Sequence, residues 1–325
     1  MESATQKPSS ISSVPAGSQL AWSLCAWIDN VSKQPNPPSP WSIAWQPSKI
    51  GADYSAVLQN GSQYALVLQG THGTPDMLED FACEFWLGFE PVIGAKVAIG
   101  AQSALFDVLM QTSSAKSNTK GSDLGSYLQS ISASWSASNP LLVTGHSLGG
   151  TLAALAACWI GFQIVNSGRQ LISSLPTSIQ AVSFAPFAAG NHALADCLNK
   201  SSNYTPCFNQ NDAIPHVWAT DTSLNPLFNV DNLYTLFPSP GPNPMPSSSF
   251  KDALQNKVTL MQKNGVSYVQ TTGPNSYQFA YPCKKNLWDP EVGYQHNTAY
   301  ANTFGSVGAA DPTAPAEALE ETEVV

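Results

Sequence analysis

Leu141-Leu142-Val143-Thr144-Gly145-His146-Ser147-Leu148-Gly149-Gly150 joins two kinds of local signal within ten residues. Leu141 to Thr144 has the short apolar character of a buried strand, and the Ala-rich stretch from about Thr151 to Val165 reads as a helix. Between them the chain must turn sharply. Gly-x-Ser-x-Gly is a weak signal in a chain with 22 glycines, so the strand before it and the helix after it carry the weight. Glycines flank Ser147 because side chains there would strike the neighbouring strand and helix, and the strained turn pushes the hydroxyl outward. Ser147 is therefore the candidate nucleophile; the alternative is an unreactive Gly-Ser loop. His146 is read as a structural or pocket-lining residue, because adjacent side chains on such a turn point apart.

Elsewhere, the alternating runs Tyr54 to Gln59 and Gln63 to Gln69 flank Asn60-Gly61, which predicts a hairpin closed by a type I′ turn. Leu20, Leu24, Ile28 and Val31 recur at helical spacing before a Pro-rich QPNPPSP segment, and Ile179 to Phe184 reads as a further strand. Residues 1–17 read as a flexible N-terminal arm. Residues 18–308 form one catalytic-size domain with a Pro-rich insertion at 238–248, and 309–325 are an acidic, disordered tail.

Composition narrows the class. The 325 residues are 43% hydrophobic, enough for a substantial core, and no apolar run approaches the roughly 18 residues of a spanning helix. With 13 Lys and Arg against 22 Asp and Glu, the net charge of −9 leaves little to neutralise phosphates, so nucleic acid is excluded as a partner. No secretory leader is visible, which makes the cytoplasm the default location, with leaderless or non-classical secretion as the alternative. Six cysteines include no CxxC pair, so neither a metal nor another cofactor is expected. Cys197 and Cys207 suit either a short disulfide loop or two buried thiols, and buried thiols are the reading taken.

Gly145-His146-Ser147-Leu148-Gly149-Gly150 resembles the elbow of the class 3, fungal-type lipases, a family of α/β-hydrolases. Leu66 to Thr71 is similar to that family's strand ending in an oxyanion turn. Phe184-Ala185 with Gly190-Asn191, and Asn211-Asp212-Ala213-Ile214-Pro215-His216, match further segments in order. The chain departs from the family pattern at Ala98, where histidine is usual, and at Phe187-Ala188, where Pro-Arg is usual. The resemblance implies an α/β-hydrolase fold: a central, mostly parallel sheet flanked by helices, a nucleophile elbow, and a lid in the region 77–93.

In that fold the triad runs Ser, acid, His along the chain. Only His216 and His296 follow Ser147 with an acid between, and His216 lies too close to Asp212 to span from it to the serine. His296 is thus the candidate base. Asp196, Asp212, Asp221, Asp231, Asp252 and Asp289 all satisfy the order, and the family resemblance selects Asp212. Backbone N–H groups of Leu148 and Thr71, with the Thr71 hydroxyl, would form the oxyanion hole. His72 is read as a pocket-rim residue. The segment Phe81, Phe85, Trp86, Leu87 and Phe89 suits a lid over the serine or plain core. The expected function is serine ester hydrolysis of acylglycerols or other lipophilic esters, at a lipid–water interface if the segment is a lid. Small or aromatic esters, acyl transfer, or a non-catalytic binding role are the alternatives. Acyl-chain specificity, oligomeric state and the choice between hydrolysis and transfer stay open.

Overall fold

The computed structural model describes residues 13–48, 54–70, 82–113, 119, 121–237 and 244–305. The strands are β1 (Ser42–Trp45), β2 (Ser55–Asn60), β3 (Gln63–Leu68), β4 (Trp86–Gly88), β5 (Lys96–Ala98), β6 (Leu141–His146), β7 (Ile179–Phe184), β8 (Tyr204–Asn209), β9 (Ala219–Asp221), β10 (Tyr268–Val269) and β11 (Tyr277–Phe279). Seven of them form one sheet in the order β1-β2-β3-β6-β7-β8-β11. The first two pairings are antiparallel, and every pairing from β3–β6 to β8–β11 is parallel. This is an α/β fold with a mostly parallel central sheet.

Helices cover both faces, as burial of a parallel sheet requires. On one side α2 (Ile99–Met110), α3 (Leu124–Ile131) and α4 (Leu148–Ile160) pack on Leu66, Leu68, Leu141, Val143 and Ala181. On the other, α1 (Ser18–Asp29) sets Leu24, Trp27 and Ile28 against Ala56, Leu58, Ala65 and Val67. Beside it, Ala21, Trp22 and Cys25 of α1 join Val182, Phe184 and α8 (Ala299–Phe304). The alternation along β3 thus feeds two cores. The remaining helices are α5 (His192–Asn199), α6 (Ser248–Lys263) and α7 (Trp288–Gly293).

Several sequence expectations shift. The hairpin turns at Gly61-Ser62, because Asn60 pairs with Gln63, and only Gly61, at φ 58°, has the left-handed backbone that a type I′ turn needs twice. Helix α1 ends at Asp29, short of Val31, and Leu20 is exposed because two adjacent faces of the helix are buried instead of one stripe. Helix α4 begins at Leu148 rather than Thr151 and continues into a π-helical turn, Gly161–Val165. That 18-residue stretch has mean hydropathy 1.7, so length and composition would let it cross a membrane, against the expectation that no run approaches this. Its 83% burial makes it the core helix against the sheet.

All six cysteines are free thiols, five of them buried, so Cys197 and Cys207 form no disulfide. Of the Pro-rich insertion, 238–243 lie outside the described residues, and α6 starts at Ser248 within the expected bounds. Residues 1–12 of the arm and the whole tail 309–325 also lie outside. The segment 77–93 is described from Ala82 onward. There Cys83, Phe89 and Val92 are buried, Trp86 is half-buried in the antiparallel ribbon β4–β5, and Phe85, Leu87 and Ile93 are exposed. Tyr268 Oη donates to the carbonyls of Cys83 and Phe85, which fixes this stretch to β10.

Candidate active site

Parallel strands deliver their carboxyl ends to one edge of the sheet, where the loops can meet. Ser147 follows β6 and caps α4, with φ 60° and ψ −126°. An L residue rarely adopts this backbone, and here it is held by the Ser147 N–H bonded to the Phe184 carbonyl at 2.9 Å. A Cβ on Gly149 would strike the carbonyl of Leu68, and one on Gly145 would strike that of Gly149, so the helix start can approach the strands only with glycine there. Leu148 is the first residue of α4, where backbone N–H groups lack intrahelical acceptors. Helix start and serine thus present donors and hydroxyl together.

Asp212 lies just beyond the end of β8 and is fully buried. Its Oδ1 accepts from the Ile214 N–H at 3.0 Å, an Asx-type turn, and its Oδ2 accepts from His296 Nδ1 at 2.8 Å. His296 sits in a π-helical turn, Tyr294–Thr298, which follows α7. Because a carboxylate only accepts, Nδ1 carries the proton and Nε2 is left with its lone pair, the tautomer a general base requires. Burial pushes the imidazole below its ordinary pKa; the Asp212 charge opposes this, and neighbouring His146 adds to it. Among the described residues no hydrogen bond joins Ser147 Oγ to His296.

His146, the residue before the serine, packs against His296. Its Nε2 donates to the backbone carbonyl of His296 at 2.8 Å, and its ring lies 4.4 Å from the His296 ring, with Trp22 and Tyr300 edges closing around it. His216 is buried on Phe228 with Nε2 donating to the Gln210 carbonyl at 3.2 Å, and burial lowers its pKa. Thr71 and His72 lie outside the described residues. Gly70, the last described residue before them, is so close to the elbow that a Cβ there would sit 2.7 Å from the His146 carbonyl.

Sequence reasoning missed the residues that hold these groups. Glu291, fully buried, accepts from Lys284 N–H at 2.9 Å and from Gln295 Nε2 at 2.7 Å. Gln295 Oε1 accepts from Asn209 Nδ2 at 2.7 Å, and Asn209 Oδ1 accepts from the N–H of Asn211 at 3.2 Å, next to Asp212. The chain Glu291–Gln295–Asn209 therefore ties the histidine turn to the aspartate turn. Glu291 and Gln295 stand one helical turn apart, but nothing in their spacing points to Asn209. At the departures from the family pattern, Phe187 and Ala188 line a small cavity of about 30 Å³ with Thr151, enough for one water.

Among solved structures, M37 lipase aligns over 90% of this chain and 93% of its own, with a TM-score of 0.69 and 18% identity. Lipase II from Rhizopus niveus aligns over 61% and 72% with a TM-score of 0.46 and 19% identity. Rhizomucor miehei lipase, in its propeptide complex, aligns over 65% and 68% with a TM-score of 0.46 and 18% identity. No curated protein matches the chain in sequence. The M37 likeness extends the shared fold across nearly the whole molecule. Residues 65–222, which span the elbow, the Phe184 strand end and Asp212, match the model of the family Lipase (class 3).

Proposed function

We propose that this protein hydrolyses carboxylic esters through an acyl-enzyme on Ser147. The observation that carries the reading is the 2.8 Å contact between His296 Nδ1 and the fully buried Asp212, beside a serine held at φ 60° on a helix start. Ser147 Oγ attacks the ester carbonyl while His296 Nε2 takes its proton, and Asp212 stabilises the imidazolium. The Leu148 N–H, with Thr71, would receive the oxyanion. Collapse expels the alcohol, which takes the proton back from His296. Water then repeats the sequence on the acyl-enzyme and releases the acid.

A lipophilic ester, acylglycerol among them, fits the exposed apolar side chains Phe85, Leu87 and Ile93. The net charge of −9 makes apolar contact, rather than attraction to anionic lipid, the means of reaching such a substrate.

Nitrophenyl esters of increasing chain length, together with a serine-reactive phosphonate, test the reading. Wild type should label and turn over mid-chain esters best, and Ser147→Ala should do neither while melting at the wild-type temperature. Preference for acetyl or aromatic esters would make it a small-ester esterase, and acyl transfer to added alcohol over water a transferase. A wild type that neither labels nor turns over any ester would leave a non-catalytic role.

A further inference from the structure

Gln270 follows β10 and is only 2% exposed, so its amide must find partners inside the protein. Nε2 donates to the Pro186 carbonyl at 2.7 Å and to the Pro215 carbonyl at 2.9 Å, one proton to each. Oε1 accepts from the Thr271 N–H at 3.0 Å. The backbone on either side is fixed as well. The Val269 N–H donates to the Gly190 carbonyl at 3.0 Å, and Asn199 Oδ1 accepts from the N–H groups of Thr272 and Gly273 at 2.9 and 2.8 Å. The amide is thus held still between two loops that lie 84 and 55 residues before it in the chain.

Each of those loops supports one member of the triad. Pro186 belongs to the loop after β7, which grips the nucleophile. The Phe184 carbonyl accepts from the Ser147 N–H at 2.9 Å. Thr151, whose own N–H reaches the Ser147 carbonyl at 3.1 Å, accepts through Oγ1 from the Phe187 N–H at 3.1 Å and donates to the Phe187 carbonyl at 3.3 Å. Pro215 belongs to the short helix Ile214–His216 that follows Asp212, and the Ile214 N–H donates to the Asp212 carboxylate. Trp218, at φ 64°, leaves the helical path, so the helix stops there and the Pro215 carbonyl takes its donor from a side chain.

We propose that Gln270 is a positioning residue for ester hydrolysis, a single amide that sets the Asp212 turn against the strand end holding Ser147. Glu291, Gln295 and Asn209 tie the His296 turn to the Asp212 turn. Gln270 supplies the link from the Asp212 turn to the elbow, and all three triad groups then stand on one hydrogen-bonded frame. His296 is held by the Asp212 carboxylate at 2.8 Å, so a displaced turn would draw Nε2 out of line with the serine hydroxyl. A misplacement of about 1 Å can cost on the order of a hundredfold in rate. The proposal rests on the hydrolase reading above. Gln270 acts through two backbone carbonyls and through Asp212, so its effect belongs in kcat and not in KM.

The test uses the full chain, a soluble nitrophenyl ester and a phosphonate inhibitor. Gln270→Met keeps the length of the side chain and removes both donors. It should lower kcat and the phosphonylation rate together by roughly ten- to hundredfold per folded molecule, with KM within about twofold of wild type. In an Asp212→Asn background the same substitution should cost less than about threefold, because no carboxylate is left to position. A kcat within about twofold of wild type in Gln270→Met, a change in KM alone, or an equal fold loss in both backgrounds, as general loosening of the core would give, would overturn the proposal. If Gln270→Met does not fold, Gln270→Asn, which keeps the amide but falls one methylene short of bridging both carbonyls, is read against the same thresholds. A wild type without labelling or turnover removes the hydrolase reading and this proposal with it. An active wild type whose Gln270 variant is unaffected, or is slowed equally in both backgrounds, removes this proposal only.

Discussion

Ser147 occupies a backbone conformation that costs about 1 to 3 kcal/mol, and it persists because the surrounding contacts over-determine it. Gly149 is among the most exacting of these positions, since a Cβ added there would run into the Leu68 carbonyl. Gly149→Ala should therefore destabilise the protein by about 1 to 3 kcal/mol in urea unfolding and, by pushing helix from strand, suppress phosphonate labelling of Ser147 in the folded fraction. His296 yields a pH signature. Burial lowers its pKa, so Nε2 stays unprotonated to more acidic pH, and the acid limb of kcat/KM should fall below the ~6.5 of a free imidazole. Asp212 opposes that shift, so Asp212→Asn should move the limb lower still while reducing kcat by about 10⁴ through loss of the tautomer. A limb at or above the free value in the wild type would show that another group controls it.

The turn that presents His296 is π-helical, a geometry that runs one residue wide of an α-helix and is common at functional sites. Its registration depends on α7, only six residues long, and so on the buried carboxylate of Glu291. Glu291→Ala would leave the N–H groups of Lys284 and Lys285 without their carboxylate acceptor and reduce the Gln295 amide to the carbonyls of Tyr281 and Pro282. The expected cost is about 3 to 5 kcal/mol, measured by chemical unfolding, accompanied by a fall in kcat as the His296 turn loosens. Glu291→Gln retains one acceptor and should lose less. The β4–β5 ribbon divides in the same way between support and surface. Trp86 packs on the core and lies 4.5 Å beneath the Lys96 ammonium, whereas Phe85 is 55% exposed.

For the molecule as a whole, the exposed set Phe85, Leu87 and Ile93 stands out on a protein with a net charge of −9. Phe85→Ser combined with Ile93→Ser should weaken adsorption to a neutral lipid emulsion, measured by depletion from the aqueous phase, and leave kcat/KM on a soluble ester within about twofold. Raising salt from roughly 0.05 to 0.5 M should not weaken wild-type adsorption, because apolar contact is not screened. Trp86→Ala should instead lower the melting temperature, since its ring supports the core. Adsorption that collapses with salt, or that survives the double serine variant unchanged, would assign the lipid contact to another surface.

Much of this arrangement is local and so was readable along the chain. The elbow occupies ten consecutive residues, and period-two alternation marks β2 and β3, because a strand between two cores must send successive side chains to opposite faces. His216 could be set aside on reach alone. Distance along the chain hid the rest. Asp29 meets Gly70 41 residues on and Asn209 meets Gln295 86 residues on, and an isolated acid or amide carries no periodic signal of such a contact. The two-sided burial of α1 and the one-residue shift of the hairpin turn likewise follow from packing and register. The apolar segment before β5 read equally as cover or core, and folding divides it residue by residue: Phe89 inward, Phe85 outward. Composition can state how much apolar surface such a segment holds, but only the neighbouring elements determine which part of it is withdrawn from water.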